Sequence, residues 1–172
     1  QGASFVIYLP VYASVGKTPA PEKTRSADKR SEVWGTGTIL LVEDEDMVRT
    51  VAERALTRQG YTVLTASDGE LGLEMLATTT ASGGHIDLLI SDVVMPNMDG
   101  PTMVTQARQT HPTLPVLFMS GYAEEQLRKS IDIANVNFLP KPFSVSQLAE
   151  AARDTLVAYA PAKKTEEVAP SV

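Results

Sequence analysis

Thr38-Ile39-Leu40-Leu41-Val42 is an unbroken apolar run, followed at once by four acids, Glu43-Asp44-Glu45-Asp46. A strand with water on one face alternates apolar and polar residues, so a run without alternation reads as a strand covered on both faces, as in a parallel sheet. The same signature returns at Asp87–Ser91 and Val116–Met119. Tyr61–Thr65 is a weaker run suited to a place nearer the edge, and Val136–Leu139 supplies a fifth. Between these runs, apolar residues fall at helical spacing: Val48/Val51/Ala52/Ala55/Leu56, Leu71/Met75 with Leu76, Met103/Ala107, Leu127/Ile131, and Leu148/Ala152/Thr155/Leu156. Each set marks one buried helix face, and Gly60, Gly83-Gly84 and Pro112 stand where the first three helices should stop. Five strands alternating with five helices predict an α/β fold: a three-layer sandwich around a five-stranded parallel sheet with right-handed crossovers.

The chain as a whole is of ordinary globular composition, with 43% apolar residues in 172 and no cysteine. Disulfides, thiolate metal sites and cysteine nucleophiles are thereby excluded. The net charge of −6 is unevenly shared. Residues 17–32 hold five basic and three acidic residues, whereas residues 36–160 hold eight basic and sixteen acidic ones. An acidic surface of that kind repels phosphate backbones, so no nucleic-acid partner is expected. No apolar run approaches the roughly 20 residues that span a bilayer, and no membrane contact is expected of this part of the chain. Because the sequence begins at Gln1, we expect a piece of a longer polypeptide. Gly16-Lys17-Thr18 hints at a phosphate loop, but Val11 stands where the pattern needs Gly, and Pro19 and Pro21 interrupt the helix that should follow.

In an open parallel sheet the functional crevice lies at the carboxyl ends of the strands, where strand order reverses. The first strand ends in Glu43-Asp44, the third in Asp92, the fourth in Ser120 and the fifth in Lys141. A nucleotide-binding fold would carry a glycine-rich turn after the first strand, and the acidic turn here is the opposite chemistry. Clustered carboxylates call for a cation, and an all-oxygen set suits Mg²⁺ or Mn²⁺. An ammonium beside a divalent ion is an arrangement for phosphoryl transfer. The bland readings are an acidic loop with Asp46 as a helix cap, Asp99-Gly100 as a turn before a helix, and His85 and His111 as surface residues without a ligand pattern. Phe118 and Phe143 read as core.

Four stretches, Ile39-Leu-Leu-Val-Glu-Asp-Glu45, Leu89-Ile-Ser-Asp-Val-Val-Met-Pro-Asn-Met-Asp-Gly100, Phe118-Met-Ser-Gly121 and Leu139-Pro-Lys-Pro-Phe143, resemble the receiver (response-regulator) domain of two-component signalling. The resemblance covers about residues 38–158 and implies a flavodoxin-like (CheY-like) sheet of order 2-1-3-4-5. It implies that Asp92 is the phosphoacceptor, attacking a phosphohistidine to become an acyl phosphate. By the same resemblance Glu43, Asp44, Asp92 and the backbone carbonyl of Val94 hold Mg²⁺ or Mn²⁺. Lys141 pairs with Asp92 or its phosphoryl group, through a Lys141-Pro142 peptide that is cis in this family, and Ser120 hydrogen-bonds a phosphoryl oxygen. Phe138 takes the place of the switch aromatic that turns inward as Ser120 moves. Ser120 stands where Thr is frequent and Phe138 where Tyr is frequent, so any coupling through a phenolic hydrogen bond is lost. Val94 and Tyr122 flank the expected path of hydrolytic water, and their bulk implies an acyl phosphate of intermediate to long life.

Gly2-Ala-Ser-Phe-Val-Ile-Tyr-Leu-Pro10 is similar to the closing strand of a histidine-kinase ATP-binding domain. The expected organisation is therefore a kinase remnant over 1–13, a flexible linker over 14–37, a receiver over 38–160 and a disordered tail over 161–172, the order of a hybrid histidine kinase. Met95-Pro-Asn-Met-Asp-Gly-Pro-Thr102 and Phe118-Met-Ser-Gly-Tyr-Ala-Glu124 look like the cell-cycle hybrid kinases of alphaproteobacteria. The implied partners are a cognate histidine-kinase domain as phosphohistidine donor and a histidine phosphotransferase protein as acceptor, with the surface from Glu124 to Thr155 as a meeting or dimer face. The implied location is cytoplasmic, the parent being anchored in the inner membrane. The fragment's own chemistry would be self-catalysed phosphotransfer and autodephosphorylation. Two rivals are a module that regulates its kinase by docking alone, and a phosphoaspartate hydrolase. The hydrolase needs an Asp two residues beyond the nucleophile, where Val94 stands.

Overall fold

The computed structural model describes residues 35–121, 133 and 135–159. Nine elements follow in order: β1 (Thr38–Val42), α1 (Asp46–Arg58), β2 (Thr62–Ala66), α2 (Gly69–Ala81), β3 (Leu88–Asp92), α3 (Gly100–Thr110), β4 (Val116–Ser120), β5 (Val136–Pro140) and α4 (Val145–Ala158). All five strands pair in parallel in the order β2-β1-β3-β4-β5, with the weaker apolar run, β2, at an edge. The helix expected around Leu127 and Ile131 lies outside the described residues, as do the expected segments 1–13 and 161–172 and Tyr122.

The unalternating strands feed two cores, one on each face. In β1, Leu40 and Val42 pack with Leu76 of α2 and Met103, Val104 and Ala107 of α3. Ile39 and Leu41 pack on the other side with Ala52 and Leu56 of α1 and Leu148 and Ala152 of α4. β4 divides likewise, Val116 and Phe118 to the first core and Leu117 and Met119 to the second. Successive strand residues point to opposite faces, so each strand needs apolar residues at every position to bury both.

Three expectations about local structure are corrected. The buried face of α2 runs through Gly69, Gly72 and Leu76, while Leu71 is 37% exposed and Met75 only half-buried. The cause is Gly72: a Cβ there would lie 3.0 Å from both Val42 Cγ2 and Met103 Sδ, so its absence lets the helix sit down on β1 along that edge. Asp46 is not the cap of α1. Glu45 holds the N-cap position without a side-chain cap bond, and Asp46 opens the helix and pairs with Arg49. Val51, expected on the buried face, is 51% exposed.

Candidate functional site

The order of the sheet reverses at β1, which has β2 on one side and β3 on the other. The carboxyl ends of β1 and β3 therefore flank the switch point, the place where open α/β sheets bind ligands. Glu43 follows the last residue of β1, its backbone N–H still bonded to the Ala66 carbonyl of β2 at 3.2 Å. Asp92 is the last residue of β3. Lys141 follows β5, at a cis peptide bond to Pro142, and its N–H donates to the Ser120 carbonyl at the end of β4, at 2.6 Å.

Among the described residues, the charged groups expected at the strand ends lie together. Lys141 Nζ donates to Asp92 Oδ2 at 2.6 Å and to Glu43 Oε2 at 2.9 Å, linking three strand ends. Glu43, Asp44 and Asp92 each offer a carboxylate oxygen, and these atoms lie within 4.8 Å of one another. Glu43 is buried, Asp44 is exposed and the Asp92 side chain is 13% exposed. Among the described residues Asp92 Oδ1 accepts just the Val94 N–H, at a long 3.3 Å, and is the less engaged of the two oxygens. Ser120 is buried beside them at the end of β4. Phe138, half-buried, stacks on Phe118 with ring centroids 5.8 Å apart, and Val94 is 59% exposed at the mouth.

Electrostatics follow from that geometry. Burial pushes the Glu43 carboxyl above its ordinary range; the Lys141 hydrogen bond and charge pull it down without cancelling the rise, and the nearby Asp92 charge adds to it. Burial works against the Lys141 ammonium, but its bonds to Asp92 and Glu43 outweigh that and hold its pKa above the ordinary lysine value. One ammonium faces three carboxylates, leaving a surplus of negative charge on hard oxygen donors, the donor chemistry that Mg²⁺ takes. The residues present thus fit a divalent ion.

The turn that follows Asp92 is tightly built. Ser91 Oγ donates to the Asp92 carbonyl at 2.7 Å, and the Gly100 N–H donates to the Val93 carbonyl at 3.0 Å. Asp99 caps α3, its carboxylate accepting the Thr102 N–H at 2.8 Å, so its role is structural as expected. Gly100 is there for space: a Cβ would fall 2.2 Å from the Asp92 carbonyl oxygen. His85 and His111 lie at the opposite, amino-terminal edge of the strands, His85 near Asp87 and His111 between the hydroxyls of Thr80 and Thr110. Sequence reasoning missed Arg49, which reaches back from α1 to the acidic turn. Its spacing of three from Asp46 was the available signal.

Comparison with known proteins agrees with this geometry. The response regulator receiver domain family matches residues 39–153. Sensor kinase CckA of Brucella abortus (strain 2308) is 41% identical over 160 residues, 91% of this chain and 17% of that protein. The DNA-binding transcriptional regulator NtrC of Escherichia coli (strain K12) is 36% identical over 112 residues, 64% of this chain and 23% of that protein. The chain thus spans less than a quarter of the length of either curated relative. The crystal structure of the receiver domain from hybrid histidine kinase CckA superposes with a TM-score of 0.59 at 48% identity, covering 70% of this chain and 99% of that one. A response regulator receiver protein from Sinorhizobium medicae WSM419 gives a TM-score of 0.63 at 32% identity, over 72% and 97%. Receiver domains generally bind Mg²⁺, and the acidic cluster such an ion needs is present here. With its fold, strand-end residues and family match in agreement, this chain belongs to the response regulator receiver family of two-component signalling.

Proposed function

We propose that this chain is the phosphoacceptor receiver of a hybrid histidine kinase, taking a phosphoryl group from a phosphohistidine onto Asp92 and passing it to a histidine phosphotransferase protein. The observation that carries this reading is the Lys141 ammonium held at once by Asp92 and Glu43 at the sheet's switch point. The similarity to CckA extends over 160 residues, beyond the 39–153 of the receiver itself, which supports a kinase origin for the flanking segments. That origin agrees with the organisation expected from sequence: remnant 1–13, linker 14–37, receiver 38–160 and tail 161–172. No described helix is long and apolar enough to cross a membrane, and the proposed anchor belongs to the parent.

Glu43, Asp44, Asp92 and the Val94 carbonyl would hold Mg²⁺. When bound, the ion supplies positive charge to the phosphoryl oxygens. The chain's own residues do the rest. An Asp92 oxygen attacks phosphorus as the phosphorus–nitrogen bond to the donor imidazole breaks, the electron pair leaving with the imidazole. Lys141, reaching across from the end of β5, shifts its ammonium from the carboxylate to the phosphoryl group and offsets charge that two anions would otherwise crowd together. The Ser120 hydroxyl then hydrogen-bonds a phosphoryl oxygen, and Phe138, stacked on Phe118, is the aromatic whose rotamer follows. Val94 at the mouth and Tyr122 would set access of hydrolytic water. Beside Lys141, α1 and α4 line an apolar recess of 430 Å³ with Met47, Val51 and Val145 exposed on its rim, a surface fit for a protein donor or acceptor rather than a small metabolite.

The test is a reconstituted relay. Radiolabelled histidine-kinase domain is mixed with this chain and then with a histidine phosphotransferase protein. Label should pass to the receiver and onward, and Asp92→Asn should stop it. Onward transfer that persists through Asp92→Asn overturns the proposal and leaves a docking module.

A further inference from the structure

We propose that Arg49 is a positioning residue for the divalent-cation site, its guanidinium fixing the β1–α1 turn so that Glu43 and Asp44 present their carboxylates toward Asp92. The inference rests on reading those three acids as the cation's ligands. Arg49 Nη1 donates to the Glu43 carbonyl at 2.6 Å and makes a longer contact of 3.4 Å with the Asp44 carbonyl, while Nη2 pairs with the Asp46 carboxylate. One side chain therefore engages three of the four residues of the acidic turn, two of them through the backbone. Arginine suits this because its planar fork presents several donors in fixed directions. With only 19% of the side chain exposed, it is packed in place.

Asp44 shows why such a tie matters. Its carboxylate is exposed and, among the described residues, makes no hydrogen bond or ion pair. Where it points is set by its backbone, and Arg49 is the side chain that holds that backbone. Glu43 is better anchored through Lys141 and the Glu45 N–H, yet its carbonyl receives the shortest of the Arg49 backbone contacts. Arg49 spends its donors on carbonyls and on Asp46, so it orders the turn without occupying the ligand oxygens of Glu43, Asp44 or Asp92. Neutralising Asp46 also keeps a further negative charge from competing for the ion.

Charge alone gives the opposite expectation, which makes the inference decidable. Arg49 is a cation close to a cation site, and its removal also frees the Asp46 charge. By Coulomb's law both changes favour binding of a divalent ion. Positioning instead requires binding to weaken, by about tenfold or more, the scale on which outer-shell partners of metal ligands act. Mg²⁺ alone is titrated calorimetrically into the purified chain as wild type, Arg49→Met and Arg49→Lys, with metal-free melting temperatures recorded alongside. Arg49→Met keeps the aliphatic stem and should bind Mg²⁺ about tenfold more weakly. Arg49→Lys keeps the charge but loses the fork, and should fall between the two. At saturating Mg²⁺, phosphorylation by acetyl phosphate should recover toward the wild-type rate. If Arg49→Met fails to fold, Arg49→Lys decides: binding weaker than wild type supports the proposal and equal binding overturns it. Mg²⁺ affinity unchanged or increased in Arg49→Met overturns it while leaving the cation site intact. A wild-type chain that binds no Mg²⁺ overturns the site reading and this proposal with it.

Discussion

Gly100→Ala perturbs the phosphoacceptor without touching its carboxylate. The new Cβ would lie 2.2 Å from the Asp92 carbonyl oxygen, 3.0 Å from Ser91 Oγ and 3.1 Å from Phe118 Cε1. Contacts below 3.0 Å essentially do not occur, so α3 and the Asp92 backbone must separate by about 0.8 Å. Little nearby can yield. Phe118 is fully buried, Ser91 is bonded to that same carbonyl, and the Gly100 N–H is tied to Val93. Overpacking of this kind costs on the order of 1–3 kcal/mol, which for a domain of this size lowers the melting temperature by roughly 5–10 °C. The functional loss should be larger in proportion, because a displacement near 1 Å at a reacting group costs on the order of a hundredfold in rate. The assay is intact-mass measurement of phosphorylation by acetyl phosphate at saturating Mg²⁺, with melting followed by circular dichroism. A variant that melts lower yet is phosphorylated at the wild-type rate would refute the claim that the Asp92–Gly100 turn sets the position of the carboxylate.

Other outcomes follow from the same geometry. Ser144→Ala removes a capping box in which Ser144 Oγ accepts the Gln147 N–H at 3.2 Å and Gln147 Oε1 accepts the Ser144 N–H at 2.8 Å; it should cost about 1 kcal/mol in thermal denaturation with phosphorylation unchanged. Mg²⁺ at ten times its dissociation constant should stabilise the wild type by about 1.4 kcal/mol in the same melts, and Asp92→Ala should lose most of that gain. Burial raises the Glu43 pKa, so without metal this group binds more protons folded than unfolded. Its contribution to stability therefore declines as pH rises above 4.5. Metal-free melting curves should show Glu43→Gln gaining on the wild type between pH 4 and 7; a difference that does not vary with pH contradicts this.

Strand identity was legible because these strands are buried on both faces. The apolar run of β1 matches the strand to the residue, and those of β2 to β5 match within one residue at either end, since a run such as Val116–Met119 has no polar position at which to misplace its limits. The placement of the candidate site residues was legible for a related reason: Glu43, Asp44, Asp92, Ser120 and Lys141 each stand at or just past the carboxyl end of such a run, and parallel pairing brings those ends together. Helix faces were harder to read. At α2, hydrophobicity pointed to Leu71, but space at Gly72 decided the matter, and a missing side chain carries no hydrophobic signal. Asp46 was misread as a cap because capping depends on backbone angles one residue away, at Glu45. Arg49 was harder to find because, apart from its pair with Asp46, its contacts are with backbone carbonyls, which every sequence possesses and none displays.

The claim on which the rest depends is that Asp92 accepts a phosphoryl group, and intact-mass spectrometry of the chain after incubation with acetyl phosphate and Mg²⁺ tests it most directly. The expected result is the gain of a single phosphoryl mass, abolished by Asp92→Ala and by chelation of the metal. A wild-type chain that gains no phosphoryl group, or an Asp92→Ala chain that still gains one, would contradict the account.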